Sequence, residues 1–135
     1  MNDFVPLTAR ILMAQIFLIS GFGKLGAGYA ATGAYMQALG IPAVLLPLVI
    51  ALEIAGGLAL TLGFQTRWTA LALALFCIVA GLIFHHNPGD RIQSIMFMKN
   101  LAMAGGLLLL SGYGAGALSV DANRSTARSG LRAER

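Results

Sequence analysis

The chain has few charged residues and a single cysteine. Asp, Glu, Lys and Arg make up 10% of its 135 residues, against about 25% in soluble domains. The one cysteine, Cys77, excludes an intramolecular disulfide and a Cys-x-x-Cys redox pair. The sequence also lacks ligation patterns for metals, haem or iron–sulfur clusters, and it has no phosphate loop or catalytic triad. A glycine pattern at residues 21–26 formally matches a dinucleotide-binding loop, but it closes an apolar run and does not join a strand to a helix.

Long apolar runs make up most of the sequence. Hydrophobic residues make up 58% of the chain and the mean hydropathy is +0.80, which indicates an integral membrane protein. Four runs reach the length of about 20 residues that a membrane-spanning helix needs, at 5–25, 43–64, 67–86 and 95–113. We expect an all-α membrane four-helix bundle with short loops over residues 1–120. The connection at 26–42 suits an interfacial or re-entrant segment, and the basic tail at 121–135 is predicted to be disordered.

The distribution of arginine predicts the orientation of the bundle in the membrane. With the N-terminus inside, the cytoplasmic side receives Arg10, Arg67 and the four arginines of the tail, whereas the outer loops receive Arg91. The excess of positive charge inside favours cytoplasmic locations for both termini. Arg10 and Arg67 are then expected to fix the topology and to anchor the chain at lipid headgroups. The tail explains much of the net charge of +4, so nucleic-acid binding is not predicted.

Glu53 lies near the middle of the second apolar run. A charge at the bilayer centre costs about 2.5–3.5 kcal/mol on insertion scales, and such a residue is usually functional. The candidate partners are Lys24, His85, His86 and Lys99, which we place toward the outer leaflet. Asn100, beside Lys99, could contact a ligand or form a hydrogen bond between helices. Which of two adjacent histidines, at positions 85 and 86, faces the bundle interior is left open.

The spacing of polar residues indicates how the first helix faces the others. Arg10, Phe17 and Lys24 recur every seven residues, which keeps them within about 40° of one face. That face is expected to point into the bundle. Two glycines that follow Glu53 by three and four residues favour close helix packing. Together these features predict a polar cluster that opens toward the outer leaflet. Two simpler interpretations stay open: Lys24 could snorkel to the interface, and a Glu–Lys pair could only fix the helix register.

The order of these short motifs resembles the DoxX family. The resemblance covers residues 7–112 and is carried by the following residues: Arg10, Ser20-Gly21, Lys24, Glu53, Gly56-Gly57, Gly63, Thr66-Arg67, a histidine that ends span three, Lys99-Asn100 and Gly105-Gly106. Within the family, the stretch Phe97-Met98-Lys99-Asn100-Leu101 is similar to a branch of small bacterial inner-membrane proteins.

The resemblance implies a bacterial inner-membrane protein with a redox association. Relatives include the large subunit of a thiosulfate:quinone oxidoreductase and a scaffold that links thiol and superoxide defence proteins. On this basis we expect a membrane subunit or scaffold of an oxidoreductase or oxidative-defence system, with redox proteins as partners. Lys24, Lys99, His85 and Glu53 would line a pocket for a quinone headgroup. The alternatives are a transporter of a small anion or weak acid and a purely structural assembly protein.

Overall fold

The part of the chain described by the computed structural model, residues 3–133, consists of helices, turns and loops and contains no strand. The helices are α1 (Phe4–Gly23), α2 (Ala27–Ala38), α3 (Leu46–Leu62), α4 (Thr66–Phe84), α5 (Arg91–Tyr113) and α6 (Val120–Ala133), and a short 3₁₀ turn (Ala43–Leu45) leads into α3. Four segments are long and apolar enough to cross a membrane: α1, α3 together with its leading turn, α4 and α5. The prediction of an all-α, four-span membrane protein is therefore confirmed.

The helix boundaries follow local signals in the sequence. Gly63 ends α3 with φ of 68°, in the left-handed region, which glycine adopts with little strain. Asp90 caps α5 by accepting hydrogen bonds from the N–H groups of Ile92 and Gln93, at 2.8 and 3.3 Å. Because of this cap, α5 begins at Arg91, four residues before the predicted start of the span.

The bundle is built from two closely packed helix pairs, α1 with α3 and α4 with α5, and α3 also contacts α4. Apolar side chains from all four helices form the main core, including Phe17, Leu60, Leu73 and Leu107. Glycine permits the close approach of α1 and α3, because a Cβ at Gly57 would lie 2.8 Å from Leu18. The close helix packing predicted from the two glycines that follow Glu53 is thus present.

The bundle has two distinct ends. The start of α1, the α3–α4 turn and the start of α6 meet at one end, which we call the tail end; there the Asp121 N–H donates to the Gly63 carbonyl at 3.0 Å. At the opposite end, which we call the α2 end, the ring of Tyr35 on α2 lies 5.8 Å from that of Phe84. Helix α2 fills the predicted interfacial segment, and its buried Met36 packs on Leu46.

Exposed aromatic side chains mark both ends. Trp68 and Tyr113 are 72% and 85% exposed at the tail end, and Tyr29 and Tyr35 are exposed at the α2 end. They account for every tryptophan and tyrosine in the sequence. Such residues are enriched where a membrane protein meets the headgroup layer, so their positions fit a bundle that spans a bilayer.

The tail differs from the expectation of disorder. Helix α6 covers residues Val120–Ala133, and the Ser119 hydroxyl accepts from the Ala122 N–H at 3.1 Å at its start. A serine before an acidic first turn is a recognised helix-start signal, here followed by Asp121. Of the basic residues predicted for the tail, Arg135 lies outside the described residues.

Candidate functional site

Glu53 lies in a polar cluster between α1 and α3. Lys24 Nζ donates to both carboxylate oxygens of Glu53, at 2.8 and 2.9 Å, and the Ser20 hydroxyl donates to Oε1 at 3.0 Å. Lys24 also donates to Ser20 Oγ at 2.6 Å. The Glu53 side chain is 4% exposed and that of Lys24 is 20% exposed. The carboxylate is therefore enclosed and neutralised, as a buried charge requires.

Helix geometry explains why these three residues meet. Ser20 and Lys24 are four residues apart, so they occupy one face of α1. Gly21 lies beside them, and a Cβ there would lie 2.7 Å from Ile54 Cγ1 and 3.1 Å from Glu53 Cβ. The missing side chain thus lets α3 approach α1 at the height of the carboxylate.

The other residues predicted for this cluster lie elsewhere. Lys99 is exposed on α5, and within residues 3–133 it has no hydrogen bond or ion pair. His85 Nδ1 is 2.7 Å from Gln93 Oε1, and His86 is exposed, with its ring in a T-shaped contact with the ring of Phe97. The structure therefore pairs Glu53 with Lys24 and Ser20, not with Lys99 or His85. Of the two histidines, His85 is the half-buried one.

Asn100 is part of the contact between α4 and α5. Its Nδ2 donates to the Met96 carbonyl at 3.0 Å. A Cβ at Gly81 would lie 3.2 Å from Asn100 Cβ, so the two helices touch here. This position fits a role in helix packing better than a role in ligand binding.

Arg10 forms a second buried polar group, at the tail end. It is fully buried, and its guanidinium donates to the carbonyl of Leu60 at 3.4 Å and to the carbonyl of Leu118. A side chain on Gly63 would overlap the guanidinium. Arg10 therefore ties the α5–α6 connection to the end of α3. It does not reach lipid headgroups, which corrects its predicted role as an anchor, because its donors point into the protein.

The inward face of α1 agrees with the seven-residue spacing in the sequence. Arg10 and Phe17 are buried, and Lys24 reaches Glu53 across the α1–α3 contact. The prediction that this face points into the bundle is confirmed.

Asp121 supplies a cap that sequence analysis missed. Its carboxylate accepts from the N–H groups of Gln65 at 2.8 Å and Thr66 at 2.9 Å, at the start of α4. Burial acts to raise the pKa of Asp121, but the hydrogen bonds from Thr66 and Gln65 and the charge of Arg124 outweigh it, and the pKa lies below its usual value. No local signal could reveal this contact, since Asp121 lies 55 residues after Thr66.

Arg67 is exposed beside this cap, and its role as an anchor at lipid headgroups stays a prediction. A Cβ on Gly114 would lie 3.6 Å from Arg67 Nε, so the guanidinium stands next to the end of α5. Arg124 on α6 lies over the ring of Phe64, at 5.3 Å from its centroid. The tail end thus presents two arginines at its surface.

Comparison with known proteins places the chain in a family. Residues 5–86 match the model of the DoxX family. The chain is 50% identical over 121 residues to inner membrane protein YqjF of Escherichia coli (strain K12), which covers 90% of the chain and 92% of YqjF. It is 38% identical over 122 residues to inner membrane protein YphA of the same organism, which covers 85% of the chain and 86% of YphA.

A more distant similarity reaches a eukaryotic protein. The chain is 31% identical over 77 residues to the ER-derived vesicles protein ERV29 of Saccharomyces cerevisiae (strain ATCC 204508 / S288c), but this covers 53% of the chain and 25% of ERV29. No solved structure matches the chain. The family match and the two bacterial relatives agree with the four membrane-spanning helices, and they show that the chain is an inner-membrane protein that belongs to the DoxX family.

Proposed function

We propose that the chain is a scaffold subunit of an oxidoreductase or oxidative-defence system and that it binds a transmembrane helix of a partner protein through α5. The observation that carries this proposal is Lys99, an exposed cation within a membrane-spanning helix. It is the ninth residue of α5, about 12 Å along the helix axis from Arg91. A charge at such depth is expensive in lipid and usually faces an oppositely charged group.

The surface around Lys99 suits helix association. Ala102 and Gly105 are exposed on the same helix, and a Cβ at Gly105 would meet no atom within 4 Å. Small residues allow two helices to approach closely in a membrane. An Asp or Glu on the partner helix would then pair with Lys99 and offset the cost of its charge.

The geometry favours a scaffold over a quinone site. A quinone pocket at Glu53 needs Lys24, Lys99 and His85 to converge on it, and the carboxylate instead has its oxygens taken by Lys24 and Ser20. The redox part of the proposal rests on the family resemblance. A transport path for a small anion would likewise need Lys99 in series with Glu53, and no contact joins them.

The test is site-specific photo-crosslinking in native membranes, with the crosslinker at Ile95, an exposed residue one turn before Lys99, so that the small residues stay unchanged. We expect a crosslink to a membrane protein of a redox complex whose spanning helix carries an acidic residue. The crosslink should be lost in Lys99→Met and kept in Lys99→Arg, because only the charge is needed. Arg91→Gln, which removes another exposed cation of α5, is the matched control.

Three outcomes would contradict the proposal. A crosslink unchanged by Lys99→Met would show that the lysine only snorkels to the surface. A crosslink between two copies of this chain would replace the partner with self-association. A partner without any redox role would keep the scaffold and remove the oxidative-defence part.

We further propose that the tail end faces the cytoplasm, so that both termini are cytoplasmic. Arg67 and Arg124 are exposed there, whereas Arg91 is exposed at the α2 end. Basic residues are retained on the cytoplasmic side. A fluorescent or alkaline phosphatase reporter fused to residue 135 should report a cytoplasmic location, and phosphatase activity in the periplasm would refute this orientation.

A further inference from the structure

A polar cavity of about 590 Å³ lies at the tail end, between the start of α4 and the start of α6. Its charged lining consists of Arg67, Arg124 and Asp121. The Asp121 carboxylate is engaged by the two N–H groups of α4. Arg67 has no hydrogen bond or ion pair within the described residues. The cavity therefore has a net positive lining, with Arg67 free to bind an anion.

An apolar groove of about 380 Å³ continues from this cavity along the bundle. It runs between α1 and α5, and side chains such as Leu12, Met13 and Leu109 line it. Gly114 lines both the cavity and the groove. The Arg67 guanidinium stands beside Gly114, so it marks the junction of the polar and apolar parts.

We propose that the cavity and the groove form one binding site for an anionic phospholipid. The phosphate group lies between Arg67 and Arg124, and an acyl chain lies in the groove between α1 and α5. A guanidinium binds phosphate oxygens in a forked geometry. The polar part sits beside the exposed Trp68 and Tyr113, at headgroup level, and the apolar part sits at hydrocarbon depth. A free phosphate ion would use the cavity alone.

This site is separate from the α5 surface at Lys99, since it lies at the other end of that helix. The test is native mass spectrometry of the purified, delipidated chain titrated with dioleoyl phosphatidylglycerol. We expect tighter binding than for dioleoyl phosphatidylcholine, which has the same chains and no net charge. Arg67→Gln and Arg124→Gln should each weaken phosphatidylglycerol binding about fivefold, the typical effect of one basic residue at an anionic membrane surface.

Arg91→Gln is the matched control, because it removes an exposed arginine at the α2 end and should leave the affinity unchanged. An equal loss in this control would overturn the proposal and indicate unspecific charge attraction. Equal affinity of the wild-type chain for the two dioleoyl lipids would also overturn it.

Two further measurements use the wild-type chain and do not depend on how the variants fold. Dihexanoyl phosphatidylglycerol, with the same headgroup and short chains, should bind more weakly than the dioleoyl lipid, because it fills less of the groove. Millimolar inorganic phosphate should not displace the dioleoyl lipid. Equal binding of the two chain lengths, or displacement by phosphate, would replace the lipid site with a site for free anions.

Discussion

Removing Lys24 tests whether the buried pair with Glu53 holds α1 on α3. In Lys24→Met, the Glu53 carboxylate loses two of its three hydrogen bonds and its counter-charge while it stays 4% exposed. Breaking a buried pair from one side costs about 3–5 kcal/mol, because the remaining charge is uncompensated. The Lys24 side chain is 20% exposed, so the lower end of this range is expected.

Two companion variants separate the charge from the hydrogen bonds. Ser20→Ala removes one bond to the carboxylate, and interhelical hydrogen bonds in membranes average about 0.6 kcal/mol. The double variant Lys24→Met/Glu53→Met removes both charges, and its free energy of unfolding should return to within about 1 kcal/mol of the wild type. Lys99→Met is the control, because it removes a lysine that has no ion pair in the described chain.

The assay is reversible unfolding in detergent micelles, with helix content followed by circular dichroism. The expected order of destabilisation is Lys24→Met, then Ser20→Ala, then Lys99→Met. If Lys24→Met is no more destabilising than Lys99→Met, or if the double variant is less stable than Lys24→Met, the pair does not hold the helices together. A functional role for Glu53 would then explain its burial better than a structural one.

Three other predictions concern a cap, a turn and a helix contact. Asp121→Asn should lower the free energy of unfolding by about 1 kcal/mol by weakening the α4 cap. The folded pKa of Asp121 lies below the unfolded value of about 3.9, so the wild-type advantage should be full above the unfolded value and shrink as the pH falls through the folded pKa. An advantage that grows as the pH is lowered would contradict this. Gly63→Ala should lower the free energy of unfolding by more than the roughly 1–2 kcal/mol typical of left-handed backbone, because its Cβ also overlaps a buried guanidinium. Gly40→Ala, with φ of 77° and open space around it, should cost only the backbone strain. Equal shifts in Tm for the two variants would refute the overlap. Gly21→Ala should lower the free energy of unfolding by about 1–3 kcal/mol through overpacking. In Gly23→Ala the new Cβ meets no atom within 4 Å, so its free energy of unfolding should stay within about 0.5 kcal/mol of the wild type in the same assay.

Sequence reasoning recovered the parts of the fold that depend on apolar length and helical period. The four spans were predicted, and the seven-residue spacing gave the inward face of α1. The start of α5 was placed four residues late, because its first turn is polar and hydropathy alone does not register the Asp90 cap. Helix α6 is not predicted for a similar reason: its polar composition is typical of disorder, although Ser119 before Asp121 is a helix-start signal.

The candidate site was only partly predictable. Depth along each span placed Lys24 and Lys99 near the same level as the end of span three, but depth does not determine the direction in which a side chain points. On α1 a clear period fixed that direction. The apolar residues of α5 lie on every side of the helix, so hydrophobic periodicity does not mark its inward face. The sequence therefore does not predict that Lys99 faces outward. The burial of Arg10 depends on carbonyls 50 and 108 residues away, beyond any local pattern.

The contacts of the tail end also determine when the fold can be completed during synthesis. Arg10 enters the membrane with the first helix, but the Leu118 carbonyl that it binds is made 108 residues later. The α4 cap likewise waits for Asp121, 55 residues after Thr66. The residues that complete this end are therefore synthesised after all four spans, and Arg10 on α1 and the start of α4 lack these partners until then. A nascent chain stalled before residue 118 would hold all four spans and still lack the contacts that close them.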